Sequence, residues 1–154
     1  MAVRKKVRAE TSMVNIGPKR SVRRRAVARG SISLSAQSIR AIGELSGRKG
    51  DVLAVAEIAA ISAAKRTSEL IPLCHQIPLE SVEARFSLKD GCVECTCTVE
   101  AEWKTGVEME ALTAVSVGLL TVWDMVKRSE KDAAGQYPGT SIVSIGVVRK
   151  EKGG

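Results

Sequence analysis

Aromatic side chains are scarce in this chain: two Trp, one Tyr and one Phe make up 3% of 154 residues. Its core must therefore be built from aliphatic residues and alanine. Long apolar runs are also missing. The longest, Ala111 to Trp123, is interrupted by Thr113, Ser116 and Thr121 and reads as a buried helix, not a membrane span. No apolar segment follows the basic residues at the start, so no secretion signal is expected and the chain is assigned to the cytoplasm. Cysteine occurs four times, and Cys92 with Cys95 makes a single C-x-x-C. No second pair completes a zinc site. The alternation around these cysteines also argues against a metal. Val93, Cys95, Cys97, Val99 and Ala101 fall on one face of a strand, with Glu94, Thr96, Thr98 and Glu100 on the other. That places Cys92 and Cys95 on opposite faces. Cys95 and Cys97 then serve as small core hydrophobes, and neither a metal nor a cofactor is expected.

What is present describes one ordinary globular domain, with 44% hydrophobic and 27% charged residues. The net charge of +7 is unevenly distributed. Residues 1–25 hold nine Lys/Arg against Glu10, whereas the remaining 129 carry 15 basic and 16 acidic residues. The basicity belongs to an N-terminal arm. An arm without aromatics or a recognisable binding module is a solvated tail, and nucleic acid is not an expected partner. Residues 1–22 are accordingly read as a flexible arm and 23–154 as one α+β domain.

Within the domain, alternation from Ala26 to Leu34 gives a first strand. Ser35 caps a short helix carrying Ile39, Ile42 and Leu45. A loop with Gly47 and Gly50 around Arg48 and Lys49 follows. Asp51 caps an alanine-rich helix running to about Leu70. Pro72 and Pro78 bracket Cys74 and His75 in an extended segment. Strands at Leu79–Leu88 and Cys92–Glu102 are joined by Asp90-Gly91, a hairpin signal. A long helix from Lys104 to Lys127 and a strand at Ile142–Val148 complete the order. This is the split βαβ pattern of a ferredoxin-like fold: an antiparallel sheet with helices packed on one face.

The long helix carries unusual charges. Thr105 and Glu108 have the spacing of a capping box. Glu110 has no such structural excuse near the start of an apolar helix, nor has Asp124 beside its negative end. Asp124 and Lys127 could be a plain surface i,i+3 pair, as Lys49 could be a loop lysine and His75 a structural histidine. Their joint occurrence is what these separate explanations cover poorly.

The strings KGDVLAVAEIAAISAAKRTSELIPLCHQIPL and KTGVEMEALTAVSVGLLTVWDMVK closely resemble the cyclic pyranopterin monophosphate synthases of molybdenum cofactor biosynthesis. The resemblance runs from about Met13 to the end. MVNIGPKRSVRRRAVARG resembles the family's opening segment, with Asn15 in place of the usual aspartate, Val22 in place of a threonine, and Arg24 on its arginine. The tail departs from the pattern, leaving open which of Arg149, Lys150 and Lys152 replaces a late lysine. The resemblance implies a hexamer, a trimer of dimers with pockets at subunit contacts. It implies conversion of 3′,8-cyclo-7,8-dihydroguanosine 5′-triphosphate to cyclic pyranopterin monophosphate with release of pyrophosphate. It also implies catalysis by Asp124 and Lys127 together with Lys49. Substrate contacts are expected from Arg24, Lys65, Leu73, Cys74, His75, Glu108, Met109 and Glu110.

Overall fold

The strict alternation in Cys92–Trp103 produces the strand on which the core is built. In this computed structural model, which describes residues 11–153, the elements run β1 (Val22–Ser33), α1 (Ala36–Leu45), α2 (Val52–Ala64), α3 (Thr67–Leu70), β2 (Ser81–Lys89), β3 (Cys92–Trp103), α4 (Glu108–Glu130) and β4 (Ser141–Lys152). The four strands form one antiparallel sheet in the order β2-β3-β1-β4. That is the split βαβ arrangement, with α1 to α3 in the first crossover and α4 in the second. Val93, Cys95, Cys97, Val99 and Ala101 are fully buried beneath α4, beside Ala26, Ala28 and Ile32 of β1. Burial pushes the thiols of Cys95 and Cys97 up to about 12, so they act as apolar core groups.

The helix-free face is polar over β1 and β3. Glu100 accepts from Arg23 at 2.7 Å and Arg25 at 3.1 Å, and Arg25 also reaches Glu151 at 3.0 Å. By length and composition α4 is apolar enough to cross a membrane. Here that apolarity is spent on the core, through Ala111, Ala114, Val115, Leu119 and Val122. Small residues set its approach to α2: a Cβ added at Gly118 would lie 2.7 Å from Phe86 Cζ and 3.3 Å from Ala60 Cβ. The alanines of α2 thus have a packing purpose. Ala56, Ala60, Ala63 and Ala64 are all buried.

Several local expectations hold. Ser35 caps α1, its hydroxyl accepting from Ser38 N–H at 3.2 Å. Asp51 caps α2, accepting from Leu53 N–H at 3.0 Å and Ala54 N–H at 3.1 Å. Asp90-Gly91 forms the hairpin turn, with Gly91 at φ 71° and Lys89 paired with Cys92. Others need correction. The helix expected to reach Leu70 stops at Ala64 and resumes as one turn at Thr67. Thr67 Oγ1 donates to Ala64 O at 3.0 Å, and Arg66 leaves helical geometry at φ −112°, ψ 12°. β1 begins at Val22 instead of Ala26, and β4 runs to Lys152 instead of Val148, because the two pair as far as Arg24 and Lys152. The capping box at Thr105 does not form. Val107 occupies the N-cap without a side-chain cap, and Glu108, the first helical residue, bonds elsewhere. The flexible-arm expectation falls partly on residues 1–10, outside the described residues.

Candidate active site

Three segments with little regular structure meet at the start of α4. The segment expected to be extended between Pro72 and Pro78 begins instead as a turn, closed by Cys74 N–H donating to Ile71 O at 3.0 Å. It runs on from Cys74 without helix or strand, and Leu73, Cys74 and His75 thereby reach the helix start. The short turn from Thr105 to Val107 brings Met109 and Glu110 to the same place. Residues 14–19, ahead of β1, form the third wall. They are shaped by Asn15 Oδ1, which accepts from Gly17 N–H at 2.8 Å, and by Lys104 Nζ, which donates to Gly17 O at 3.0 Å. Together these segments enclose a cavity of about 300 Å³, lined by Val14, Ile16, Lys19, Leu73, Cys74, His75, Ile77, Thr105, Gly106, Met109 and Glu110.

Glu110 is the most unusual group in it. The residue is only 3% exposed, and its Oε2 has no hydrogen-bond partner. Burial, and then the negative charge of Glu108, raise its carboxyl above the ordinary range, against the pull of its own backbone N–H. A buried acceptor left unmade costs about 1–3 kcal/mol, a cost that a donor placed in the cavity would relieve at Oε2.

Glu108 behaves oppositely. Its Oε1 accepts from Lys150 Nζ at 2.6 Å. Burial would raise its carboxyl, but the Lys150 hydrogen bond, its own N–H and the charges of Lys150 and Arg24 hold it below the ordinary range. Two glutamates two positions apart thus differ in protonation tendency, as groups of opposite acid and base role do. Of the three late cations that the sequence left open, Lys150 is the one that lies against the helix start. Arg149 pairs with Glu151 at 2.7 Å instead, and Lys152 lies opposite Arg24 in the sheet. Arg24 donates to the carbonyls of Trp103 at 3.3 Å and Lys104 at 3.4 Å, beside the same helix start.

The remaining expected residues lie elsewhere on this chain. Asp124 and Lys127 form an exposed pair at 2.6 Å, and the carboxylate raises the lysine's pKa through its hydrogen bond and its charge. Because α4 is continuous, Asp124 stands about 21 Å along the axis from Glu110, at 1.5 Å per residue over fourteen residues. Lys49 sits exposed in the loop between α1 and α2, where Gly47 and Gly50 take φ of 71° and 89°. Asp51 fastens that loop by accepting from Gly47 N–H at 2.7 Å. Lys65 borders a second concavity that shares Ile77 with the first and also contains Glu80.

The sequence reading missed two things. Lys19 lines the cavity, although its segment looked like tail. Glu130 is buried and collects Ser35 N–H at 3.1 Å, Ser35 Oγ at 2.7 Å, Ser38 Oγ, and Thr140 Oγ1 at 2.6 Å. No short spacing signals that carboxylate, because its partners lie up to 95 residues away.

Fold and site together define a small α+β protein of split βαβ topology, whose cavity lies at the start of its longest helix and is walled by a buried glutamate, Glu110, with Glu108 of opposite tendency on the same helix turn. More particularly, the chain belongs to the MoaC family, which it matches over residues 13–153. Its relatives include a probable cyclic pyranopterin monophosphate synthase from Thermococcus kodakarensis, 56% identical over 141 residues that cover 92% of this chain and 90% of the relative. One of the same description from Natronomonas pharaonis is 52% identical over 143 residues, covering 93% and 89%. A third, from Methanothermobacter thermautotrophicus, is described as a probable cyclic pyranopterin monophosphate synthase accessory protein; it is 55% identical over 140 residues, covering 91% and 88%.

Proposed function

We propose that this protein is a cyclic pyranopterin monophosphate synthase, a lyase of molybdenum cofactor biosynthesis. It converts 3′,8-cyclo-7,8-dihydroguanosine 5′-triphosphate to cyclic pyranopterin monophosphate and releases pyrophosphate. Similarity over more than nine-tenths of the chain to relatives of that description supports this, and Glu110 at the cavity wall, with its Oε2 left without a hydrogen-bond partner, is the structural observation that carries it. Rearranging a guanine-derived ring and closing a cyclic phosphate require proton transfers at several heteroatoms. Glu110 and His75 meet the ring system, with Leu73, Cys74 and Met109 as its apolar and backbone walls. Glu108 belongs to the same end of the site, and Arg24 and Lys65 contribute positive charge for the phosphates. Asp124, Lys127 and Lys49 carry catalysis.

One small ligand does not span the length of α4, so Asp124 and Lys127 serve the cavity of a neighbouring copy. The protein then works as a homohexamer, a trimer of dimers with its sites at subunit contacts. Val143, Ile145, Val147 and Val148, exposed on the edge strand β4, provide apolar surface for assembly. The catalytic domain of 23–154 is joined by the later part of the arm of residues 1–22, since Val14, Ile16 and Lys19 wall the cavity. A cytoplasmic location fits four free thiols.

The test is a turnover assay with the cyclic dihydroguanosine triphosphate, following pyrophosphate. Wild-type protein turns over, whereas Asp124→Asn and Lys127→Ala keep their fold and oligomer size but lose turnover. Ordinary turnover in both variants would remove the catalytic assignment; none in the wild type would remove the activity.

A further inference from the structure

Lys127 is exposed on a long, flexible stem, yet its proposed work lies in a neighbouring copy, where its ammonium must arrive at one place. Asp124 holds the tip of that stem at 2.6 Å. A second restraint comes from the segment that follows α4. Trp123, Lys127 and Lys131 recur at four-residue intervals, so they form one stripe along the end of the helix, about 12 Å long at 1.5 Å per residue. Tyr137 lies over this stripe. Its ring meets Trp123 edge to face with centroids 5.5 Å apart, and Lys131 Nζ stands over the ring, 5.8 Å from its centroid. A ring that reaches the first and third members of the stripe stands beside the second, which is Lys127.

We infer that Tyr137 is a positioning residue for Lys127: its ring walls the lysine stem that Asp124 holds at the tip, and so fixes where the ammonium is presented. The inference rests on the catalytic roles proposed for Asp124 and Lys127, and it adds a group to their end of the site. Tyr137 acts through the lysine and not on the substrate. Its phenol also lies within electrostatic reach of Lys127. The hydrogen bond and charge of Asp124 raise the lysine's pKa most, and Tyr137 adds to them against the effect of burial.

The segment that carries the ring is fastened at several points. Asp132 Oδ1 accepts from Ala134 N–H at 2.9 Å and Gln136 N–H at 2.8 Å, and Asp132 N–H donates to Gln136 O at 3.0 Å. Gly135, at φ 76°, closes the turn by donating its N–H to Asp132 O at 3.0 Å. Pro138 restricts Tyr137 to extended backbone geometry. Thr140 Oγ1 then ties the far end to Glu130 at 2.6 Å. Residues 131–140 thus leave α4 and return to it, with the half-buried Tyr137 held between two anchors.

The experiment is steady-state pyrophosphate release by the assembled full-length protein, with nuclear magnetic resonance of lysines carrying isotope-labelled methyl groups in parallel. Tyr137→Ala should lower kcat about tenfold, the order of the rotamer freedom that an unrestrained lysine regains, and leave KM nearly unchanged. Tyr137→Phe keeps the ring and should keep kcat. The Lys127 resonance, identified by its loss in Lys127→Arg, should sharpen in Tyr137→Ala and return to its wild-type width in Tyr137→Phe. Tyr137→Leu replaces the alanine variant if that protein does not assemble, with the same expectation. Wild-type kcat in the variant without a ring would overturn the inference; with a lowered Tm it would reduce Tyr137 to a cover for Trp123. An unchanged Lys127 resonance would overturn it too, as would a phenylalanine variant as slow as the alanine one. If the wild type does not turn over, the proposed activity falls, and the Lys127 resonance alone decides the positioning.

Discussion

Glu110 and Glu130 are both buried carboxylates on α4, and their surroundings give them opposite consequences. Glu110 lacks a partner for one oxygen, and its raised pKa means that the folded state resists its ionisation. Below the unfolded carboxylate range it costs nothing; as pH rises through the folded value the full penalty appears. Glu110→Gln should therefore raise Tm at pH 8 and not at pH 4, while weakening binding of a substrate analogue. A lowered Tm at pH 8 would show that the carboxylate is structural. For Glu130, burial would raise the carboxyl, but hydrogen bonds from Ser38, Thr140 and Ser35 outweigh it and lower the pKa. Its stabilisation is present at neutral pH and is lost as pH falls through the folded value. Glu130→Gln should cost about 1–3 kcal/mol at pH 7 by denaturant titration, the difference from wild type shrinking in acid.

At the scale of elements, the contact between α2 and α4 depends on what is missing from it. Gly118 and Ala60 let the two helices approach, and Phe86 closes the gap from β2. Gly118→Leu overfills that space and should destabilise by about 1–3 kcal/mol, while the smaller Gly118→Ala regains helix propensity and costs less. Equal stability of the leucine variant would mean that the helices are free to separate. This contact also shows where sequence reading succeeds. Period-two alternation in β3 and the alanine pattern of α2 are local, so strands, helices and the split βαβ order were legible. The break at Thr67 and the absent capping box were not. The first goes with Arg66 leaving helical geometry and Thr67 Oγ1 donating back to Ala64 O, the second with a helix that starts at Glu108 and so puts Val107, not Thr105, at its N-cap. Cavity residues on α4 and in the proline-bracketed segment were readable as misplaced polar groups. Lys19 and Glu130 were not, since only tertiary contacts give them a purpose.

For the whole molecule, the unbroken length of α4 separates two groups of site residues that the proposed chemistry needs together. Glu110→Ala and Asp124→Asn proteins, each inactive, should recover part of the activity when dissociated, mixed and reassembled. Interfaces that combine the intact residue of each would then exist, and complete absence of recovery in properly mixed oligomers would place the site within one chain. The distribution of thiols offers a way to follow such experiments without a turnover assay. Cys95 and Cys97 are sealed under α4, Cys92 is half-buried at the hairpin, and Cys74 is half-buried on the cavity wall. An alkylating reagent therefore meets three classes of sulfur in one polypeptide. Loss of Cys74 modification with Cys92 unchanged reports an occupied cavity. Modification of Cys95 and Cys97 reports that the sheet has parted from its helix. The chain thus carries its own footprinting probes, one for ligand and one for unfolding, with no label introduced.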